Sequence, residues 1–377
     1  MVRSGCTQKT GGYHTHKNRR RTEIIRQILS ELPVACLDFF VAIEPQTSVL
    51  TRLAYAYDLR IFFQYLCDEV RIYAGKTPSA LEDADIAKVT KLDIERFTGF
   101  LTLYYKNKTQ PDGEVISWEI ENKELGKMRK LSCLRSFFKY LYASGRSPGN
   151  VAELVALPKR HDRAIIRLEI DEVSRLLDIV ESGEALSKRQ QNYHELTKTR
   201  DLAMLTLFLG TGIRVSECVG LDIDDFDFEQ NAFVITRKGG DETMLYLSDE
   251  MADALKGYLD ERLNVDPLPG HERAFFLSLQ RRRITQRAVE NLVQKYARIA
   301  VPLKRKISPH KLRSTFGTNL YRETGDIYLV ADVLGHADVN TTRKHYAAIP
   351  EDRRREAARR TVLREDGRKT KRASAKE

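Results

Sequence analysis

The chain has 377 residues, 42% hydrophobic and 31% charged, with 63 Lys and Arg against 53 Asp and Glu, a net charge of +10 and a pI near 9.2. That balance favours two folded domains over disorder, and no stretch has the length of a membrane span or the form of a secretory signal. Five scattered cysteines without a CxxC pair argue against a disulfide framework or a zinc site and for reduced thiols in a cytoplasm.

The basic excess is localised. Residues 1–22 carry Arg3, Lys9, Lys17 and Arg19, Arg20 and Arg21 with no acid, and the tail from Glu351 holds eleven basic residues against six acidic. Such runs are often only solvated. With this pI, however, a polyanion is the leading partner, nucleic acid above all, with binding that weakens steeply in salt. Cys6, His14 and His16 are too loosely spaced on this arm to make a metal site.

After the arm, residues 23–157 read as one helical domain. A helix is expected around Ile24–Ala42, followed by apolar series at helical spacing. These are Leu53, Tyr57, Phe62, Phe63 and Leu66, then Ile94, Phe97, Leu101 and Tyr104, then Met128, Leu131, Phe138 and Leu141. Val151, Leu154 and Val155 mark a short last helix. "KNKTQPDGEVIS" reads as a loop around Pro111-Asp112-Gly113. Arg52, Arg60, Lys127, Lys130 and Arg135 fall mostly on the polar sides of these helices. Residues 158–166, begun by Pro158, form a basic extended linker.

The second domain, 167–349, opens on a helix with Asp171 in its first turn. A long helix through "RDLAMLTLFLG" stops at Gly210-Thr211-Gly212. The alternating "FDFEQNAFVITRKGGDETMLYLS" predicts a hairpin or three-stranded antiparallel sheet turning at Gly239-Gly240. Helices resume at "RRRITQRAVENLVQKYARIA", "SPHKLRSTFGTNLYRETG" and "DIYLVADVLGH". Residues 350–377 form a basic tail with helical pattern at its start and a disordered end.

Four short stretches of this domain carry chemistry-bearing side chains. "TGIRVSECVGL" places Arg214 after a glycine turn at a helix start. "TRKGGDE" puts Lys238 at a hairpin tip. "SPHKLR" sets His310 and Arg313 three apart, hence on one helix face. "LGHADVNTTRKHY" gives His336 at a helix stop and Tyr346 one short helix later. Each has an ordinary reading too. Arg214 can be an ion pair with Glu217, Lys238 a solvated turn lysine, His310 and Arg313 surface residues, and Tyr346 a half-buried packing residue with a wet hydroxyl.

In this order and wording, "GTGIRVSECVGL", "RKGGDETMLYL", "SPHKLRSTFGTNL" and "VLGHADVNTTRKHYA" resemble the tyrosine recombinases, the site-specific DNA recombinases of phage integrase and Xer type. The resemblance spans roughly residues 30–350 and is strongest from 200 to 347. Within the family it is greatest to the Xer recombinases of Gram-positive bacteria. It implies a mainly α, two-domain DNA clamp: a helical core-binding domain, then a mostly α catalytic domain with a small antiparallel β-sheet.

The resemblance also implies a reaction. Tyr346 attacks a DNA phosphodiester to give a 3′-phosphotyrosine, and Arg214 and Arg313 bind the non-bridging oxygens. Lys238 acts as general acid to the leaving 5′-oxygen, His310 assists proton transfer with the tyrosine, and His336 hydrogen-bonds the scissile phosphate. Forked guanidiniums suit a phosphorane, and losing one such donor typically costs about 3–4 kcal/mol of barrier. A phenol near pKa 10 is a weak nucleophile, so the site must activate it. Glu217 holds Arg214 or forms an ordinary helix pair. The implied chemistry uses no metal, cofactor or ATP.

Two departures from the family pattern stand out. His336 to Tyr346 spans ten residues, one more than in many members, so that His345 occupies the shorter spacing and a register shift is the alternative. Ser314-Thr315 follows Arg313 where a histidine is frequent. Tyr321 and Tyr328, in apolar helical context, are expected to pack.

Arg282, Arg283, Gln286 and Arg287 lie at the start of a helix that, by the resemblance, enters the major groove. They read base edges or touch phosphates only. The family's tail exchange implies a homo-tetramer on two DNA sites, with an accessory protein possible, in the cytoplasm near the nucleoid. A basic arm lying on phosphates is the plainer account of the tail. The expected role is Xer-type chromosome dimer resolution, linked to chromosome partition and cell division, because residues 1–22 are too short for an integrase's folded arm-binding domain. Integration of a mobile element is the alternative. Type IB topoisomerase-like relaxation and a non-catalytic DNA-binding regulator are remoter ones.

Overall fold

The computed structural model of the chain describes residues 13–109, 115–158, 166–237, 240–304, 306–336 and 338–346, with backbone alone at 13–17, 107–109, 115, 341 and 344–346. The chain divides into two compact units, 1–163 and 164–377, and the division falls inside the segment read as a linker. Residues 159–165 of that linker, 1–12 of the arm and the whole tail from 347 lie outside the described residues.

The first unit runs α1 (Tyr13–Leu29), α2 (Val34–Ile43), α3 (Val49–Glu69), α4 (Asp83–Ile86), α5 (Lys91–Phe100), β1 (Leu103–Thr109), β2 (Val115–Glu121) and α6 (Glu124–Ala143). Its core is aromatic. Phe39, Phe62, Phe63, Phe97, Phe137 and Phe138 are fully buried, and edge-to-face pairs such as Phe62–Phe97 at 5.1 Å and Phe39–Phe137 at 5.4 Å fix the helix crossings. The Asp58 carboxylate is buried against this core and accepts from Arg129 Nη2 at 2.7 Å. Burial pushes its pKa up, and Arg129 opposes that shift.

Several sequence expectations need correction in this unit. The helix expected over Ile24–Ala42 is two helices, because Pro33 cannot continue α1 and instead precedes α2. Residues 13–22, read as part of a basic arm, belong to α1. The stretch read as a loop is largely a hairpin, with β1 and β2 antiparallel and Tyr104 opposite Ile120. Only its turn, 110–114, lies outside the described residues. Tyr104 continued an apparent helical series because, as the second residue of β1, it stacks on Phe100 at 5.2 Å. Val151–Val155 forms turns and no helix. Arg135 Nη2 takes the Val155 carbonyl at 2.7 Å and Nε the Ala152 carbonyl at 3.3 Å, in place of a helical ladder.

The second unit runs α7 (Ile170–Ser182), α8 (Lys188–Glu195), α9 (Lys198–Thr211), α10 (Val215–Cys218), β3 (Phe226–Asp227), β4 (Ala232–Thr236), β5 (Glu242–Tyr246), α11 (Asp249–Leu263), α12 (Gln286–Ala300), α13 (Pro309–Thr324), α14 (Ile327–Leu334) and α15 (Val339–Tyr346). The expected small antiparallel sheet is present in the order β3-β4-β5, and the mainly helical fold class holds. Helix α9 is buried along most of its length, with Met204, Leu205, Leu207 and Phe208 fully covered. Helices α7, α11 and α13 pack around it. It ends at Gly212, whose φ of +63° makes the left-handed cap that glycine adopts without strain. The rim of this bundle, where α9 ends, carries the candidate site. No described helix is long and apolar enough to cross a membrane.

Candidate active site

The glycine stop after α9 turns the chain so that Arg214 becomes the N-cap of α10. Glu217, three residues on, closes a capping box: Oε2 accepts the Arg214 backbone N–H at 2.7 Å and Oε1 accepts Arg214 Nη1 at 2.7 Å. The pair is unequal in exposure, 32% for the Arg214 side chain and 2% for Glu217. The carboxylate therefore serves as the buried anchor and the guanidinium as the partly open group.

Arg313 reaches the same place from α13, a helix opened by Ser308 and Pro309. It is almost wholly buried. Its Nη1 donates to the Gly212 carbonyl at 2.6 Å and its Nη2 to the Leu334 carbonyl. Arg214 Nη2 donates to the next carbonyl, Gly335, at 3.1 Å. Both guanidiniums therefore meet at the C-terminal end of α14, whose last carbonyls have no partners within the helix and carry its negative dipole end.

A third guanidinium, which the sequence reading passed over, sits there as well. Arg237, the residue after β4, donates Nη1 to Leu334 O and Nη2 to Val333 O, each at 2.8 Å. Burial lowers its pKa, Glu217 opposes that shift and Arg214 adds to it. The available signal was a second cation beside Lys238 at a strand end.

His336 follows the left-handed Gly335 cap of α14. Its backbone N–H donates to Ala331 O at 2.9 Å, and Nδ1 lies 2.7 Å from Thr342 Oγ1. Thr342 is fully buried in α15 and stands one turn before Tyr346. The end of α14 and the helix that carries Tyr346 are thereby joined. His310, one turn before Arg313 on α13, is exposed. Lys238 lies outside the described residues, and of Tyr346 only the backbone, the last residue of α15, is described.

Arg214, Arg237 and His336 border a groove of about 1040 Å³ that is lined also by apolar side chains, among them Met244, Phe316 and Leu320. Acids border it too, among them Asp241 and Asp338. Forked cationic donors converging on one rim suit an oxyanion with several equivalent oxygens, such as a phosphodiester. Among the described residues there is no group of three His, Cys, Asp or Glu side chains placed to hold a metal ion.

The residues proposed for DNA contact divide. Arg282 and Arg287 are exposed and Gln286 is half-buried. Arg283 is not an outward-facing residue: its buried guanidinium donates to Leu221 O at 2.8 Å and Val219 O at 3.1 Å and pairs with Asp222. In the first unit Arg60 is half-buried beside Glu31 at 3.7 Å. Arg52, Lys127 and Lys130 do not lie on open polar faces. Arg52 is buried and paired with Glu44 at 2.6 Å, and the Lys127 side chain is 13% exposed beside Glu124. Lys130 Nζ donates to Asn122 Oδ1 at 2.9 Å, and burial lowers its pKa. Tyr328, expected to pack, is 71% exposed, whereas Tyr321 packs against the α14 cluster.

The model of the phage integrase family matches residues 167–353. The tyrosine recombinase XerC of Caldanaerobacter subterraneus subsp. tengcongensis is 30% identical over 334 residues, 87% of this chain and 85% of that protein. The tyrosine recombinase XerS of Lactococcus lactis subsp. cremoris is 28% identical over 333 residues, 81% of this chain and 91% of that protein. Among solved structures, the Tn1549 transposon integrase in complex with circular intermediate DNA aligns with a TM-score of 0.61 at 18% identity, over 86% of this chain and 99% of that one. XerH bound to its difH substrate aligns at 0.58 and 20% identity, over 81% of this chain and 79% of that one. At those identities the likeness is one of fold.

Proposed function

The chain belongs to the tyrosine recombinases of the phage integrase family, and from that premise we propose that it is a site-specific DNA recombinase working through a 3′-phosphotyrosine. The observation that carries this reading is the convergence of Arg214 and Arg313 on the end of α14, which His336 and Thr342 join to the helix of Tyr346.

In the proposed step the Tyr346 hydroxyl oxygen attacks the scissile phosphorus while His310 takes up its proton. The bond to the 5′-oxygen breaks, and Lys238 delivers a proton to that oxygen. Arg214 and Arg313 neutralise the non-bridging oxygens as charge builds, and His336 donates to the same phosphate. The phosphotyrosine conserves the bond energy, so a 5′-hydroxyl from a second strand reverses the step on a new partner without ATP. The arginines supply the charge neutralisation that a metal supplies elsewhere. Glu217 holds Arg214 in its productive rotamer.

The partner in this reading is double-stranded DNA. Arg282, Gln286 and Arg287 are the groove contacts at the start of α12, and Arg60 is a phosphate contact. A homo-tetramer on two sites, linked by exchange of the tail 350–377, accounts for paired-site chemistry, and the apolar side chains lining the groove beside Arg214 support a surface for such a tail. An accessory protein and a place at the nucleoid belong to the same account. The relatives named XerC and XerS support chromosome dimer resolution as the role, with mobile-element integration as the alternative.

A plasmid carrying two copies of a site selected from random DNA tests this. Deletion or inversion between the sites, without relaxation of a plasmid lacking them, is the expected result. Relaxation regardless of site would make the protein a topoisomerase, and specific binding without any product would make it a regulator.

A further inference from the structure

Arg237 occupies the position immediately before Lys238, and its side chain leaves the sheet. Its backbone closes the hairpin: the N–H donates to Asp241 O at 2.7 Å, and the carbonyl accepts from Gly240 N at 3.1 Å. Its guanidinium then crosses to α14, with Nη1 on Leu334 O and Nη2 on Val333 O, while Nε faces Thr243 Oγ1 at 3.4 Å. Two guanidinium nitrogens bind α14 carbonyls more than ninety residues away in sequence, and the third faces Thr243 on β5. A surface cation held by solvation would show no such fork. The guanidinium also fills the space of a missing side chain, since a Cβ on Gly335 would lie 2.5 Å from Arg237 Nη1.

The connection continues beyond α14. Gly335 leads to His336, His336 Nδ1 meets Thr342 Oγ1, and Thr342 precedes Tyr346 by one helical turn. The strand end before Lys238 and the helix of Tyr346 are therefore both tied to one point, the carbonyl end of α14.

We propose that Arg237 is a positioning residue that ties the end of β4, just before Lys238, to the end of α14, and so limits where the general acid reaches relative to the Tyr346 helix. The inference rests on the recombinase reading above. In-line displacement needs the attacking phenol and the departing 5′-oxygen on opposite sides of phosphorus, with the acid within hydrogen-bond reach of the oxygen. A lysine on a free two-stranded hairpin meets that condition only a fraction of the time. Arg237, held on the α14 carbonyls, limits this freedom.

The test compares two nicked duplexes carrying the selected site, one with the ordinary 5′-bridging oxygen and one with sulfur in its place. On the sulfur substrate the P–S bond breaks to release a thiolate, and no proton need be delivered. Wild type, Lys238→Ala, Arg237→Ala and Arg237→Lys are assayed for covalent adduct. Arg237→Ala is expected to slow adduct formation on oxygen by about 100-fold, the scale of a misplacement near 1 Å, and to run close to wild type on sulfur, as Lys238→Ala does. Arg237→Lys, which reaches one carbonyl instead of two, falls between and carries the same comparison if the alanine variant does not fold. Equal slowing on both substrates, or none on oxygen, would overturn the proposal. If Lys238→Ala is rescued and the Arg237 variants are not, this inference alone falls. If wild type forms no adduct on either duplex, the recombinase reading falls and takes the inference with it.

Discussion

Arg214 and Glu217 hold each other twice, through the Arg214 backbone N–H on Oε2 and Nη1 on Oε1, both at 2.7 Å. One carboxylate thus caps α10 and sets the rotamer of the arginine that faces the groove. The two effects separate by substitution. Glu217→Ala should lower stability by about 2 kcal/mol, because it removes both the cap and the charge partner of a partly buried guanidinium. Glu217→Gln keeps an acceptor for the backbone N–H and should lose about half as much. Urea midpoints measure the stability, and adduct formation should drop for both variants.

Gly335 is where the backbone and Arg237 compete for space. Its φ is +60°, and a Cβ there would lie 2.6 Å from Arg237 Cζ. Gly335→Ala should destabilise by more than about 1 kcal/mol. Asn tolerates the left-handed region better than Ala, yet Gly335→Asn should be no better, because the clash with the guanidinium remains. A thermal melt in which Asn restores wild-type stability would show that only the backbone angle matters.

Arg283 and Arg287, four residues apart, should respond oppositely. Arg283→Ala takes the donor from the Val219 carbonyl and one of two from Leu221 O, which keeps the Phe275 N–H, and should cost about 1–3 kcal/mol of stability. Arg287→Ala, at an exposed position beside Glu290 at 3.3 Å, should leave stability within about 0.5 kcal/mol. It should weaken DNA binding and, if its contact is to a phosphate, reduce the salt slope by about one. Denaturation and salt-dependent gel shifts on the same two proteins read both outcomes.

The second unit should lose stability in acid through Glu169. The Arg322 guanidinium at 2.9 Å, with Arg167 beside it, holds the Glu169 carboxyl below its ordinary 4.5. A group lowered in the fold stabilises above its unfolded pKa and loses that contribution as pH falls through the folded value. The loss therefore lies below pH 4.5. The carboxylate is 45% exposed, so solvent screening keeps the effect small. Glu169→Gln should flatten this acid limb in a pH series of urea midpoints and leave the neutral plateau nearly in place.

Much of the second unit was legible because its boundaries are made by local chemistry. Gly212 ends α9, Ser308-Pro309 opens α13, and alternation marks β4 and β5. Glu217, three residues after Arg214, was legible as its ion-pair partner, but its capping of the Arg214 N–H was not. What was hidden depended on distant partners. Nothing near Arg237 names Val333 and Leu334 as acceptors almost a hundred residues away, and nothing near Arg283 shows that its charge faces Asp222. The hairpin β1–β2 was hidden because Tyr104 stacks on Phe100 and so prolongs a helical spacing across a strand boundary. Arg52 and Lys130 kept the look of surface cations, although Glu44 and Asn122 hold them inside.

The central claim, that Tyr346 is the nucleophile of a DNA strand-transfer site, is tested most directly by incubating wild type and Tyr346→Phe with a nicked suicide duplex bearing the selected site. The account predicts a covalent protein–DNA adduct for wild type and none for Tyr346→Phe, with both binding the duplex equally. An adduct that persists in Tyr346→Phe would contradict it and move the nucleophile to another residue.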